Sequence, residues 1–137
     1  MRVLALDIGE KRIGVASGDT NTCISMPVKV MQANEVLANS REWRYLLEDN
    51  EPELLLAGLP KSLNGQRGKQ AKRVKEVAEK IAANASLELE FVDERLSSAE
   101  AKRILREQGL NEKEMRGKVD SVAASLFLET WLIAHKQ

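Results

Sequence analysis

Apolar residues in the first third of the chain come in short blocks, not at helical spacing. Val3-Leu4-Ala5-Leu6 forms a run within Arg2 to Asp7, and Asp7-Ile8-Gly9-Glu10 ends it with a turn signal. Arg12 to Ser17 is a second block, and the pair predicts a β-hairpin. A third strand, roughly Cys23 to Met31, is interrupted by Pro27, which has no N–H to give a ladder and so predicts an edge position or a bulge. The period then changes: Val36, Leu37, Trp43, Leu46 and Leu47 fall on one face of a helix from Asn34 to Asn50. Leu54-Leu55-Leu56-Ala57 is apolar without alternation, the pattern of a strand covered on both faces. A basic helix from about Gln66 to Asn84 turns Ala71, Val74, Val77, Ala78 and Ile81 inward, and Leu87 to Val92 is the fifth strand. The remainder is helical. Ser97-Ser98-Ala99-Glu100 has the spacing of a capping box and opens a helix that Gly109 ends. Asn111-Glu112-Lys113-Glu114 is placed to cap a short turn. The last helix runs from about Lys118 to Ala134 and buries Val119, Val122, Ala123, Leu126, Phe127 and Leu132. The order β-β-β-α-β-α-β-α-α predicts an α/β domain, a mixed sheet covered by helices.

A length of 137 residues without repeat or linker predicts one domain over residues 1–137. Basic and acidic residues number 21 each, so affinity for nucleic acid has to come from a local patch and not from net charge. The lone Cys23 excludes a disulfide framework and a cysteine zinc site and fits a reducing cytosol; the lone His135 excludes a histidine metal cluster. The first apolar run is too short for a signal peptide or membrane span, so a cytoplasmic protein without membrane partners is expected. Only Trp43, Tyr45, Phe91, Phe127 and Trp131 are aromatic, which argues against a base-stacking platform.

Acidic residues stand where elements end. Asp7 closes strand one, Asp93 and Glu94 close strand five, and Asp120 lies in the first turn of the last helix. Sites in α/β sheets form beyond the carboxyl ends of strands, so strands leaving the sheet on one side bring these groups together. Converging carboxylates repel one another and call for a cation. Oxygen donors without His or Cys select Mg²⁺ or Mn²⁺ over zinc. Two such ions about 4 Å apart can align a water and stabilise the leaving oxygen of a phosphodiester. Each acid also has a plainer role open to it. Asp7 could cap the turn with Gly9, Asp93 or Glu94 could pair with Arg95, and Asp120 could answer the helix dipole. Ala123, Ala124 and Ser125 keep the last helix slim where it meets the sheet, as a buried ligand at Asp120 requires. Alternation puts Asp93 and Glu94 on opposite faces, but a strand end can twist, so the choice between them stays open. Asp19, expected in the turn after strand two, is a weaker candidate.

Gly58-Leu59-Pro60 leads into Lys61-Ser62-Leu63-Asn64-Gly65-Gln66-Arg67-Gly68, whose Asn-Gly turn and glycines let backbone amides approach a ligand. No Gly-Lys-Ser/Thr follows in register, so this is not a Walker A loop. Lys61, Arg67, Lys69, Lys72, Arg73 and Lys75 make the stretch from Pro60 to Lys75 basic with no acid. Lys61 and Arg67 in the loop are expected to contact phosphate, while the helical cations could equally form a solvated face. Acids for metal beside bases for a phosphate backbone are the parts of a nuclease, and backbone contacts specify no base sequence.

Four separated blocks resemble one family. Leu6-Asp7-Ile8-Gly9 with Lys11-Arg12-Ile13-Gly14-Val15-Ala16, Gly58-Leu59-Pro60 with Asn64-Gly65 and Gly68, Asp93-Glu94-Arg95-Leu96-Ser97, and Lys118-Val119-Asp120-Ser121 occur in the order seen in YqgF-type pre-16S rRNA nucleases. These are also described as Holliday-junction resolvase-like proteins of the RNase H-like fold, and the likeness spans almost the whole chain. It implies a five-stranded mixed sheet of order 3-2-1-4-5, with strand one beside the strand from Leu54 to Ala57. It implies catalytic, metal-binding acids at Asp7, Glu94 (or Asp93) and Asp120, using Mg²⁺ or Mn²⁺. Arg12, Arg95 and Lys118 look like phosphate or structural partners of those acids; Lys61, Arg67, Lys69 and Arg73 complete the expected nucleic-acid set. One departure is Ala16-Ser17-Gly18-Asp19, a residue shorter than the family's Val-Ala-x-Ser-Asp, which leaves Asp19 without a clear counterpart.

The expected function is a metal-dependent endonuclease processing the 5′ end of pre-16S ribosomal RNA, as a monomer or weak homodimer. The alternatives are a resolvase acting on branched DNA, which would be a symmetric dimer, and a non-catalytic RNA-binding module. An ATP-handling protein of the actin type, which also opens on Asp-x-Gly and a hairpin, needs two domains around its nucleotide.

Overall fold

The computed structural model describes residues 1–59, 65–93 and 97–136, apart from the side chains of residues 65–67 and 98. Strands β1 (Arg2–Ile8), β2 (Arg12–Asp19) and β3 (Ser25–Gln32) precede helices α1 (Ala33–Leu37) and α2 (Arg41–Asn50). Then follow β4 (Leu54–Leu59), α3 (Gly65–Ala85), β5 (Glu88–Asp93), α4 (Ser97–Glu107), α5 (Glu112–Arg116) and α6 (Val119–Ala134). The five strands form one sheet in the order β3-β2-β1-β4-β5, which is the order expected. β1 runs antiparallel to β2 and parallel to β4, and β4 runs parallel to β5. Leu6 stands opposite Ala57, and Ala57 opposite Phe91, so β1, β4 and β5 all finish at one edge of the sheet.

Strand alternation sorts the core into two layers. Leu4, Leu6, Ile8, Ile13, Val15, Leu55 and Ala57 face a cluster completed by Val36 of α1, Trp43 and Leu46 of α2, and Val74, Ala78 and Ile81 of α3. The other face presents Val3, Ala5, Ala16, Leu54 and Leu56 to Ala124, Phe127, Leu128, Trp131 and Leu132 of α6. Both faces of β4 are covered, which is why its sequence does not alternate. α4 and α5 pack on α6, outside the sheet.

Three readings of the chain are corrected. The single helix from Asn34 to Asn50 is two. Asn39 takes a left-handed φ of 54°, and Ser40 caps α2 by accepting from the Trp43 N–H at 3.3 Å. Asn tolerates that conformation and Ser is a strong cap, so local chemistry overrides an apolar period that runs across the break. Ser97 is already helical and the Glu100 carboxylate pairs with Arg103, while residues 94–96, where a cap would stand, lie outside the described residues. Finally, α6 buries Ser121, Ala124, Ser125, Leu128 and Trp131 as well, while Val119, Val122 and Leu126 are half-buried. A helix enclosed between a sheet and a second helix layer is apolar almost all round, and a single stripe cannot be read from it. The short helix after Asn111 is as expected: the Asn111 side chain accepts from the Glu114 N–H at 2.9 Å, and Glu114 answers the Asn111 N–H at 3.1 Å. Pro27 sits on edge strand β3, beside a register shift at Val15/Ala16.

Candidate active site

Asp7 is the penultimate residue of β1. Alternation from Val3 and Ala5 puts it on the α6 face of the sheet, where it is half-buried. Its partner across the antiparallel ladder is Gly14 of β2. Gly14 carries no side chain on the α6 face, and the first turn of α6 fills that space. A Cβ built on Gly14 would lie 2.1 Å from the carbonyl carbon of Asp120 and 2.4 Å from the Ser121 nitrogen. Gly18, two alternations along the same face, likewise admits Leu132, whose Cδ1 would be 2.7 Å from a Cβ there. Gly14, Ala16 and Gly18 thus make a flat track in β2 on which α6 lies, and its upper end sets Asp120 beside the strand pair that carries Asp7.

The Asp120 side chain keeps 26% of its exposure, and the Arg12 Nε lies 3.6 Å from its Oδ2. Burial pushes the Asp120 carboxyl above its ordinary value, against the opposing pull of the Arg12 and Lys102 charges. A cleft of about 610 Å³ opens at this end, lined by Gly9, Glu10, Lys11, Arg12, Gln32 and Asp120. Its floor is tied down by the Gly9 N–H donating to the Arg12 carbonyl at 2.8 Å and the Ala33 N–H donating to the Lys11 carbonyl at 2.8 Å.

The family model described as "RuvX: Holliday junction resolvase" matches residues 1–134 of this chain, taking in both acids and the hairpin between them. The chain belongs to the RuvX family. Two relatives named "Putative pre-16S rRNA nuclease" align over most of its length. One, from Thermosynechococcus vestitus, is 37% identical and covers 98% of this chain and 89% of its own. Another, from Dechloromonas aromatica, is 39% identical over 94% of this chain and 88% of its own. Among solved structures, T. thermophilus RuvC in complex with a Holliday junction substrate superposes with a TM-score of 0.58 at 11% identity, covering 98% of this chain and 95% of that one. At that identity the likeness concerns the fold, and it is the RNase H-like fold that the family resemblance had implied.

In this RuvX-family chain Asp7, Asp120, Arg12 and Lys118 gather at one end of the α6 face, Lys118 being the exposed residue that opens α6. Asp93 does not join them. On β5, Glu90 accepts from the Trp131 Nε1–H at 3.0 Å and Val92 packs on the α6 cluster, so alternation turns Asp93 to the opposite face. Asp19 ends β2 opposite Arg2, at the far end of the sheet from Asp7. There it accepts from the Asn21 N–H at 2.8 Å and lies 3.6 Å from the Met1 amino group. Lys69 and Arg73 belong to α3, which covers the other face; Arg73 is half-buried, and its enclosed Nη2 has no hydrogen-bond partner among the described residues. Lys61, Glu94 and Arg95 lie outside the described residues, as does the Arg67 side chain.

Two contributors to this end of the molecule escaped the reading of the chain. Gly14 was visible only as part of a motif; its signal is the alternation of small residues at 14, 16 and 18, which marks a helix-docking face. Lys102, whose charge acts on Asp120, sits far along the chain in a helix that reads as ordinary surface. Among the described residues no group of three His, Cys, Asp or Glu side chains is arranged to hold a metal ion. The donors present are carboxylate oxygens, a set that suits a hard divalent cation, since Mg²⁺ is commonly held by one or two carboxylates together with water and phosphate oxygens. No helix among the described residues is long and apolar enough to cross a membrane.

Proposed function

We propose that this chain is a metal-dependent endonuclease of the cytoplasm that cleaves structured RNA at the 5′ end of a 16S ribosomal RNA precursor. The observation that carries the proposal is the placing of Asp7 and Asp120 on one sheet face by the contact of Gly14 with the start of α6. Glu94 is proposed as the third acid. The alternation of β5 turns Asp93 away from that face, and of the two acids in the motif this favours Glu94.

A divalent ion held by these carboxylates would supply positive charge to the scissile phosphate and the departing oxygen. The protein's own groups then have distinct tasks. Asp7 is anchored in the sheet and Asp120 in the helix, so their separation is fixed by packed backbone and not by a loop. Arg12 neutralises Asp120 from the cleft side and faces an incoming phosphate from there. Lys118 stands two residues before Asp120, at the start of α6, and binds backbone oxygens in this reading. Lys61, Arg67 and Arg95 are proposed as further phosphate contacts.

The names of the full-length relatives favour ribosomal RNA, whereas the family's description favours branched DNA. The deciding experiment incubates purified protein with a 16S precursor transcript and with a four-way DNA junction, each with and without Mn²⁺. Cleavage of the transcript alone, abolished in Asp7→Asn while its melting curve stays cooperative, is the result expected. Cutting of the junction by a symmetric dimer would replace the RNA reading with the resolvase one. Metal-independent binding without cleavage of either would make the chain a binding module.

A further inference from the structure

Lys102, whose charge acts on Asp120, shares a recess with two further cations, Arg106 and Arg116. α4 and α5 pack on α6, and a hollow of about 180 Å³ between them is lined by Lys102, Arg106, Glu112, Met115, Arg116 and Val119. Val119 precedes Asp120 in the chain and Lys102 of the lining acts on the Asp120 carboxyl by its charge, so the hollow lies near Asp120. Lys102, Arg106 and Arg116 are all exposed, and among the described residues none of them has an ion-pair partner. The neighbouring acids are mostly engaged. Glu100 and Glu107 are both held by Arg103, and Glu114 closes the cap on Asn111. Glu112 alone faces the hollow with its charge unmatched.

In a chain with no net charge, three unpaired cations around one recess are an anion-binding surface. It lies in the layer that carries Asp7 and Asp120, whereas the α3 cations lie across the sheet. We propose that Lys102, Arg106 and Arg116 seat the phosphodiester backbone of the nucleic-acid substrate beside the start of α6. Resting on the nuclease reading above, this adds a grip on α4 and α5 to the phosphate contacts proposed there. Arg12 on β2 and the α4–α5 cations then hold the backbone from separate elements near Asp120. Such contacts carry no base specificity and position the backbone only.

The test measures affinity of the full chain for a labelled stem-loop of the 16S precursor, with EDTA present to prevent cutting, over a series of salt concentrations. The Lys102→Gln/Arg106→Gln/Arg116→Gln variant is expected to bind roughly tenfold or more weakly, with a salt slope smaller by about 2 to 3. Glu112→Gln is expected to bind more tightly. The control removes three equally exposed cations of the opposite layer, Arg41→Gln/Arg44→Gln/Lys80→Gln, and should stay within about twofold of wild type. Equal losses in the two triple variants, or no loss in the first, overturn the α4–α5 seat and leave the nuclease reading standing. Failure of wild type to bind any nucleic acid overturns both.

Discussion

Gly14 and Asp120 meet backbone to backbone: the Asp120 carbonyl carbon occupies a point 2.1 Å from where a Cβ on Gly14 would be. Since Gly14 is also the ladder partner of Asp7, this contact is the means by which a strand acid and a helix acid share one place. Gly14→Ala would force rigid main chain apart, because no flexible side-chain tip is available to yield. The expected cost is about 1–3 kcal/mol, the usual scale of overpacking. Lifting the start of α6 would also separate the acids, so divalent-ion uptake measured by calorimetry should fall further than the melting temperature suggests. An alanine variant with wild-type uptake would show that the acids do not depend on this contact.

Asp120 is an acid that the fold holds partly out of water. Its folded carboxyl is raised above the ordinary value of 3.8, burial outweighing the Arg12 and Lys102 charges. For a raised acid the sign is fixed. Stability is greatest below the unfolded carboxyl's range, where both states are protonated, and is lost as pH rises through the folded value. Asp120→Asn removes that loss. In chelator, the Asn variant should therefore melt above wild type at neutral pH, and the gap should close on acidification through the carboxylate range. Added Mg²⁺ should raise the melting temperature of wild type and not of the variant. A variant less stable than wild type by the same amount at every pH would deny that burial governs this group.

The sheet was legible because its strands are written in two distinct ways. β4 is continuously apolar because both its faces are covered, and β1 and β2 are blocks joined by a turn. The acids were legible because they stand where those blocks stop. Three things were not. The break at Asn39 and Ser40 lies inside an unbroken apolar period, and only the cap chemistry marks it. The α3 cations read as a patch beside the acids since both follow parallel strands, yet alternation puts helix and acids on opposite faces. Lys102 reaches Asp120 through helix-on-helix packing, which leaves no trace in local spacing.

Asp19 supplies a control that separates a site acid from a structural one. It stands opposite Arg2 while Asp7 is five residues further along β1, roughly 16 Å away at about 3.3 Å per residue. The Asn21 N–H holds its carboxyl below the ordinary range, with help from the Met1 amino group. A depressed acid stabilises the fold above its unfolded range, and that help is lost as pH falls through the folded value. Asp19→Asn should therefore leave metal uptake and cleavage unchanged and weaken the fold slightly at neutral pH only. Loss of cleavage in this variant with its fold intact would return Asp19 to the catalytic set.

Arg12 tests whether the charge beside Asp120 serves the fold or the substrate. Its Nε lies 3.6 Å from Oδ2, and both side chains keep contact with water, at 48% and 26% exposure. A pair so exposed contributes about 0–1 kcal/mol to stability, so Arg12→Gln should melt within a few degrees of wild type. If Arg12 meets phosphate from the cleft, the same variant should bind the precursor stem-loop more weakly and lose about 1 from its salt slope. Metal uptake should move the other way. Removing a cation from beside Asp120 lessens the competition for its oxygens, so Mn²⁺ should bind the Gln variant more tightly as nucleic acid binds it less. A large fall in melting temperature with an unchanged salt slope would make Arg12 a structural counter-ion and nothing more.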